Sequence, residues 1–341
     1  MKLTINDIAK LCNVSTGTVN RALHNKPGIS EKTKAKILDI VKELDYRPDY
    51  YARTLASGKT DTIGIILPNV ENEFFAMLFS EVEKICWEYG YLMNLALSND
   101  DADKEEKYIL SFIDRKVDGL ILFPVNNDAT YVKKAIQNDI STVIVLNDLE
   151  DVDTNVVKVD EYNAVSKTVQ YLIDIGHKRI AYINGYFHYS PRYNSYINDQ
   201  RYQAFKDTMV LNHIMYEKEN YMEATPHLND EINRIMLKNI VCRENKPTAM
   251  VCLQDRIALW VMMELEKMGL KVPDDISIAG FDNINELNYV KPLLTTTQMP
   301  TKEIAHTAVS ILVDDISNNR CGNKKVVLET RFIERDSCRR I

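Results

Sequence analysis

Apolar and polar positions divide the chain into two regimes. Over the first 47 residues the apolar positions fall at helical spacing in short stretches. Thr4-Ile5-Asn6-Asp7 sets a hydroxyl three residues ahead of a carboxylate, as at a helix start, and Ile8, Ala9 and Leu11 follow as a short apolar face. Asn13, a residue type that enters the left-handed region readily, predicts a tight turn. Ser15 predicts the cap of a second helix running through Val19, Ala22 and Leu23. Beyond the break at Lys26-Pro27-Gly28, Ser30 predicts the cap of a third. Its Ile37, Ile40, Val41 and Leu44, at i, i+3, i+4 and i+7, form one buried stripe. Three short helices with a tight turn between the first two make a helix-turn-helix unit. Residues 49–57 are a further short helix candidate ending at Gly58, below the ~12 residues that sustain a helix alone in water.

From residue 62 the pattern changes. Strand-like runs at 62–67, 91–97, 118–123, 142–146, 179–183, 248–252 and 276–281 alternate with helical patterns. The helices are expected at 74–89, 103–115, 130–137, 162–175, 199–211, 229–241 and 255–268. Such alternation predicts parallel α/β structure, and this many strands predict two sheets, with any ligand at the strands' carboxyl ends. The 74–89 helix carries Phe74, Phe75, Met77, Leu78, Phe79, Val82, Ile85 and Trp87 almost all round. It is therefore expected to be covered on more than one side, by core or by a second subunit.

Composition adds one decisive fact. The 341 residues are ordinary globular material, 45% hydrophobic and 27% charged, long enough for two or three lobes. The net charge of −7 hides an asymmetry: residues 1–60 hold 11 Lys/Arg against 6 Asp/Glu, and the rest hold 31 against 43. A small basic head on an acidic body points to a polyanion partner for the head. The cysteines, Cys12, Cys86, Cys242, Cys252, Cys321 and Cys338, have neither zinc-ligand nor thioredoxin spacing, so reduced thiols are expected and no metal or cofactor is called for. No signal-peptide pattern and no 18-residue apolar run occurs, so the expected location is the cytoplasm and no membrane is expected as a partner. The sequence has no P-loop, no GxGxxG after the first strand, no HExxH and no GxSxG, which argues against an enzyme on this scaffold.

The head resembles the LacI/GalR family of bacterial transcription regulators. The residues that carry the likeness are Asp7-Ile8-Ala9, Val14-Ser15, Thr18-Val19, Arg21-Ala22-Leu23, Ile29-Ser30, Thr33, Leu44-Asp45-Tyr46-Arg47-Pro48 and Ala52-Arg53-Thr54-Leu55. The resemblance implies a homodimer, with a tetramer left open, that binds a double-stranded DNA operator. Thr16, Gly17 and Arg21 would read base edges, with Arg21 suited to guanine. Thr4, Ser15, Thr18, Asn20, His24, Ser30, Thr33, Tyr46 and Arg53 would hold the backbone, and Leu55 would wedge into the minor groove.

The body resembles the same family at Gly176-His177-Lys178-Arg179-Ile180-Ala181, Pro247-Thr248-Ala249, Val272-Pro273-Asp274-Asp275-Ile276-Ser277, Gly280-Phe281-Asp282-Asn283 and Pro292 to Gln298. The implied fold is an N-terminal all-α helix-turn-helix head (1–47) with a hinge helix (48–60). An α/β periplasmic-binding-protein-like body (61–341) of two doubly wound parallel-sheet lobes follows. Lobe one is expected at about 61–161 plus 293–321 and lobe two at about 162–291 plus 322–341. An effector pocket between the lobes would use Phe74, Phe75, Asn147, Arg201, Tyr221, Gln254, Asp282 and Gln298. Glu73 stands where the family has Pro, and Ala204 where it has Gly. Aromatic faces with Asp and Arg suit a sugar. Arg192, in the aromatic-rich segment 185–202, would instead favour an anionic effector such as a sugar acid or sugar phosphate, and a nucleobase or a phosphoprotein co-regulator are further alternatives.

Overall fold

The computed structural model describes residues 3–47, 58–186 and 192–341. The chain divides into two compact units, residues 1–60 and 61–341.

The first unit contains α1 (Ile5–Cys12), α2 (Thr16–Leu23) and α3 (Glu31–Glu43). Thr4 and Asp7 form the expected capping box: the Asp7 amide donates to Thr4 Oγ1 and the Thr4 amide donates to Asp7 Oδ2 at 2.9 Å. Asn13 closes α1 in the left-handed region at φ 55°. Ser15 and Ser30 cap the next two helices, accepting the amides of Thr18 and Thr33 at 3.2 Å. The core is Ile8, Ala9, Cys12, Val19, Ala22, Ile37 and Tyr46. Two expected core positions are exposed: Leu11, because Ile8 and Cys12 one turn apart carry the buried face of α1, and Leu44, because Tyr46 fills that space after the chain leaves α3.

The second unit opens with β1 (Thr62–Leu67), α4 (Glu73–Glu88), β2 (Leu92–Leu97), α5 (Ala102–Asp114), β3 (Gly119–Leu122), α6 (Thr130–Gln137), β4 (Ser141–Val145) and β5 (Asn155–Val159). It continues through α7 (Glu161–Asp174), β6 (Ile180–Asn184), α8 (Tyr196–Leu211), β7 (Tyr221–Glu223), α9 (Glu231–Val241), β8 (Ala249–Cys252), α10 (Asp255–Lys267) and β9 (Ser277–Ala279). The last elements are β10 (Thr296–Gln298), α11 (Thr301–Ser317), β11 (Lys325–Leu328) and β12 (Arg331–Ile333).

Two parallel sheets result, one of six strands in the order β11-β5-β4-β3-β1-β2 and one of four in the order β7-β6-β8-β9. Their central strands are buried along their whole length, the mark of sheets covered by helices on both faces. A small antiparallel pair, β10 with β12, lies where the chain passes between the lobes, and α11 returns to cover β3, β4 and β5 of the first sheet.

The lobe boundary needs one correction. Residues 322–328 were expected in lobe two, but β11 pairs in parallel with β5 at the edge of the first sheet. The second lobe's final share therefore begins near β12. Strands β5, β7, β10, β11 and β12 are not foreseen by the pattern because polar residues such as Asn155, Lys158, Glu223, Gln298, Lys325 and Arg331 break or bound their apolar runs; pairing with a neighbour defines them. Helix α4 buries Phe74, Phe75, Leu78, Val82 and Cys86 on one side, and leaves Trp87 66% exposed on the other.

Candidate functional site

Almost every strand of the two sheets delivers residues to one cavity of about 640 Å³ between the lobes. Pro68 and Asn69 follow β1, Asn99 and Asp100 follow β2, Phe123 follows β3, and Leu146 and Asn147 follow β4. From the other lobe come Gly185 and Tyr186 after β6, Thr225 after β7, Leu253 and Gln254 after β8, and Asp282 after β9. Parallel strands all end at the same side of their sheet, so two facing sheets create a ligand-sized cleft without a dedicated element.

One wall is aromatic. Asn72 caps α4 by accepting the Phe74 amide at 3.1 Å, which sets Phe74 and Phe75 on the first turn facing the cavity. Phe75 stands edge-on to Phe74 and to Phe123, with ring centroids 5.3 and 5.0 Å away.

The opposite wall is charged. Arg201 on α8 donates from Nε to Glu161 Oε2 and from Nη1 to the Leu253 carbonyl, both at 2.6 Å, and lies 3.6 Å over the Phe281 ring. Burial pulls its pKa down, and the carboxylates of Glu161 and Asp282 more than reverse that. Asp282 is buried at the end of its loop with φ 115°, a conformation that L residues rarely adopt. Backbone bonds hold it there: its amide donates to the Thr297 carbonyl at 2.8 Å and its carbonyl accepts from the Met299 amide. Burial pushes its carboxyl well above the ordinary range, Arg201 opposes that, and Asp255 and Glu161 reinforce it. Asp255, behind it, is raised by burial to about 6 against the hydrogen bonds from Thr296 Oγ1 at 2.6 Å and the Ile284 amide at 3.1 Å. A Cβ on Gly280 would collide with the Asp255 carboxylate, so the Gly280-Phe281-Asp282 run is readable residue by residue: clearance, a platform for Arg201, and a cavity acid.

Of the sequence candidates, Phe74, Phe75, Asn147, Arg201, Gln254 and Asp282 line the cavity, as do Tyr186 and Tyr193 from the aromatic segment. Three do not. Arg192 points outside it and is ion-paired with Asp103 at 2.7 Å and with Glu106, because residues 192–194 lie along the first lobe, where Asn194 donates to the Val125 carbonyl and Asn127 donates to the Arg192 carbonyl. Tyr221 belongs to an aromatic cluster with Tyr182 and Tyr202, and its hydroxyl accepts from Asn184 at 3.0 Å. Gln298 is exposed on β10, opposite Arg331. Sequence reasoning missed Glu161; its only signal was an acid at the start of a helix, which reads as ordinary capping.

In the first unit, Thr16, Gly17, Asn20, Arg21 and His24 are exposed, and Thr18 is half-buried. Thr4, Ser15 and Ser30 are exposed helix caps, and Thr33 is half-buried beside Ser30. Tyr46, expected at a phosphate, is instead only 8% exposed, with its ring in the core. Arg53 and Leu55 lie outside the described residues.

The comparisons with known proteins agree on both units. Residues 4–49 match the pattern described as bacterial regulatory proteins, lacI family, and residues 169–338 match a periplasmic binding protein-like domain. The probable HTH-type transcriptional repressor ExuR of Bacillus subtilis is 31% identical, with 99% of each chain covered. The chain belongs to the lacI family of bacterial regulatory proteins. It is a DNA-binding transcriptional repressor of that family rather than an enzyme. The ribose operon repressor of Haemophilus influenzae is 30% identical over 98% of each chain. The lac repressor dimer bound to operator and the anti-inducer ONPF shares the fold over 99% of both chains, with a TM-score of 0.85 at 20% identity. No helix among the described residues is long and apolar enough to cross a membrane.

Proposed function

We propose that this repressor binds a palindromic operator as a homodimer, and that a small sugar-like effector in the cavity between the lobes sets its affinity. The observation that carries the effector reading is the pairing of a buried Arg201–Asp282–Glu161 group with the Phe74, Phe75 and Phe123 wall. Apolar faces receive C–H surfaces and fixed polar groups select hydroxyls. A transcriptional regulator in complex with cellobiose and a LacI family regulator with bound ribose have the same fold. The protein would act in the cytoplasm, where its operator lies.

The operator reading rests on α2. Thr16, Gly17 and Arg21 share its exposed face, and the Arg21 guanidinium makes no hydrogen bond or ion pair to the described residues. A Cβ on Gly17 would meet only Ser15 Oγ at 3.7 Å, so packing within the unit does not require glycine there. Close approach to an outside surface is a sufficient reason for it. Ser15, Thr18, Asn20, His24, Ser30 and Thr33 would contact the backbone, with Thr4 at the start of α1 and with Arg53 and Leu55 from the hinge segment. A dimer would cover Trp87, Tyr89, Leu92 and Leu95, a run of exposed apolar residues at the edge strand β2 and the end of α4.

The deciding experiment is capture of fragmented source-genome DNA by the purified protein, with sequencing of the bound fraction. A palindrome of about 14–20 base pairs is expected, two half-sites about one helical turn apart. Genes beside it nominate the effector for titration. A single unpaired half-site would refute the dimeric reading, and binding that survives removal of residues 1–60 would refute the assignment of DNA contact to the head.

A further inference from the structure

We infer that the cavity rejects anions and takes a ligand that brings hydrogen-bond donors, so that among sugars of one ring type the amino-substituted form binds tightest, the uncharged form next, and the uronate or phosphate ester weakest. This rests on the cavity's being the effector site, and it assigns the charge of what enters.

The first support is the balance of charge. Glu71, Asp100, Glu161 and Asp282 line the cavity against Arg201 and Arg256. Two buried carboxylates, Glu161 by a 2.6 Å ion pair and Asp282 by electrostatic attraction without a direct ion pair, depend on the single guanidinium of Arg201, and the buried Asp255 adds a third acid nearby. An added phosphate or carboxylate would meet like charges in a site poor in water, where repulsion is least screened.

The second is the state of the acceptors. Glu161 is 2% exposed and its Oε1 has no hydrogen-bond partner among the described residues; Asn147 is equally buried, its amide nitrogen donates to the Pro124 carbonyl at 2.8 Å, and its Oδ1 has no partner among those residues either. The Asp282 carboxylate receives no hydrogen bond from the described residues. Buried oxygens left without donors are costly, and a ligand that supplies donors recovers that cost. An ammonium has three donors and no acceptor, so it can serve such oxygens without adding a lone pair that itself needs a partner.

The third is what the cations are doing. Of the cavity's two arginines, Arg256 is exposed, where water and salt screen its charge, whereas the buried Arg201 already donates from Nε and Nη1 and has the Phe281 ring over one face, so little of its fork remains for a bidentate anion. Arg192, whose charge would have favoured an acid, is paired with Asp103 and Glu106 outside the cavity.

The test uses the full chain and two probes. Calorimetric titrations compare each of the gluco, galacto and manno hexoses with its 2-amino-2-deoxy form, its uronate and its 6-phosphate. In the series that fits, the amino sugar is expected to bind about tenfold tighter than the hexose, or about 1.4 kcal/mol, and the two anions not to bind. Separately, inorganic phosphate is titrated against the thermal midpoint of the wild type and of the Glu161→Gln/Asp282→Asn double variant. Phosphate should leave the wild type unmoved and stabilise the double variant, in which Arg201 is uncompensated. If the double variant does not fold, Asp282→Asn alone, which removes one of the two nearby negative charges and keeps the Glu161–Arg201 pair, should show a smaller stabilisation by phosphate in the same direction, and none at all would overturn the charge selection. A uronate or phosphate ester that binds as well as the amino sugar, or phosphate that stabilises wild type and variant alike, overturns the charge selection and leaves the effector site standing. Equal affinity of hexose and amino sugar overturns the ammonium preference. Absence of binding by every sugar counts against the sugar reading itself, and the phosphate arm still decides the charge question.

Discussion

Truncating Arg201 to alanine tests the cavity's charged wall through stability, with no ligand needed. The substitution removes two 2.6 Å hydrogen bonds and the stack on Phe281. It leaves Glu161, 2% exposed, with neither oxygen partnered, and Asp282 without its cation. Removing one member of a buried ion pair costs about 3–5 kcal/mol, since the survivor is an uncompensated charge in a medium that solvates it poorly. Water from the adjoining cavity can partly solvate the stranded carboxylate, which places the expected loss near the lower end, about 3 kcal/mol. For a unit of this size that is a fall of about 6–12 °C in the unfolding midpoint, read by differential scanning calorimetry on the full chain at neutral pH. The informative companion is Arg201→Met with Glu161→Gln. Replacing both charges by neutral groups of similar volume should recover most of the loss, because the penalty lies in the stranded charge rather than in lost packing. A loss below about 1 kcal/mol for Arg201→Ala, or a double variant as unstable as the single one, would refute the reasoning.

Two further predictions address other parts of the chain. Glu105 on α5 is buried, accepts the Val125 amide at 2.7 Å, and has its carboxyl raised by burial to about 8 from an ordinary value of 4.5. The folded state therefore holds a proton that the unfolded chain releases earlier, and this group's contribution to stability is lost as pH rises through that window, at up to about 1.4 kcal/mol per pH unit. Glu105→Gln should raise the midpoint at pH 8 and make little difference below pH 4.5, as thermal melts across pH would show. In the head, Arg21→Ala is expected to lose about 1–3 kcal/mol of discrimination at one base pair of each half-site, measured by competition among operator variants; equal weakening on all sequences would make Arg21 a phosphate contact instead.

Much of this molecule is written locally. The head's capping box at Thr4 and Asp7, the left-handed Asn13 and the serine caps at 15 and 30 follow from contacts within a few residues, so the chain states them without help from its tertiary context. The alternation of strand and helix in the body is equally local, because the buried central strands of a parallel sheet are continuous apolar runs. Motif resemblance extended that reading to Phe74, Phe75, Asn147, Arg201, Gln254 and Asp282, all of which the fold brings to one cavity.

The remaining features depend on contacts between distant residues. Which oxygens lack a donor, and that Glu161 rather than a solvent-facing acid balances Arg201, depends on two residues 40 apart in the chain meeting at the cleft. Arg192 read as a free cation in sequence, and only the pairing of its segment with residues 125–127 turned it toward Asp103 and Glu106. Short strands such as β11 exist because a neighbour supplies the ladder, which is why a boundary set by pattern placed residues 322–328 in the wrong lobe. Local chemistry names the elements and the candidate groups. Burial and long-range pairing decide which groups keep an open valence for a ligand, and neither is a property of any short stretch of chain.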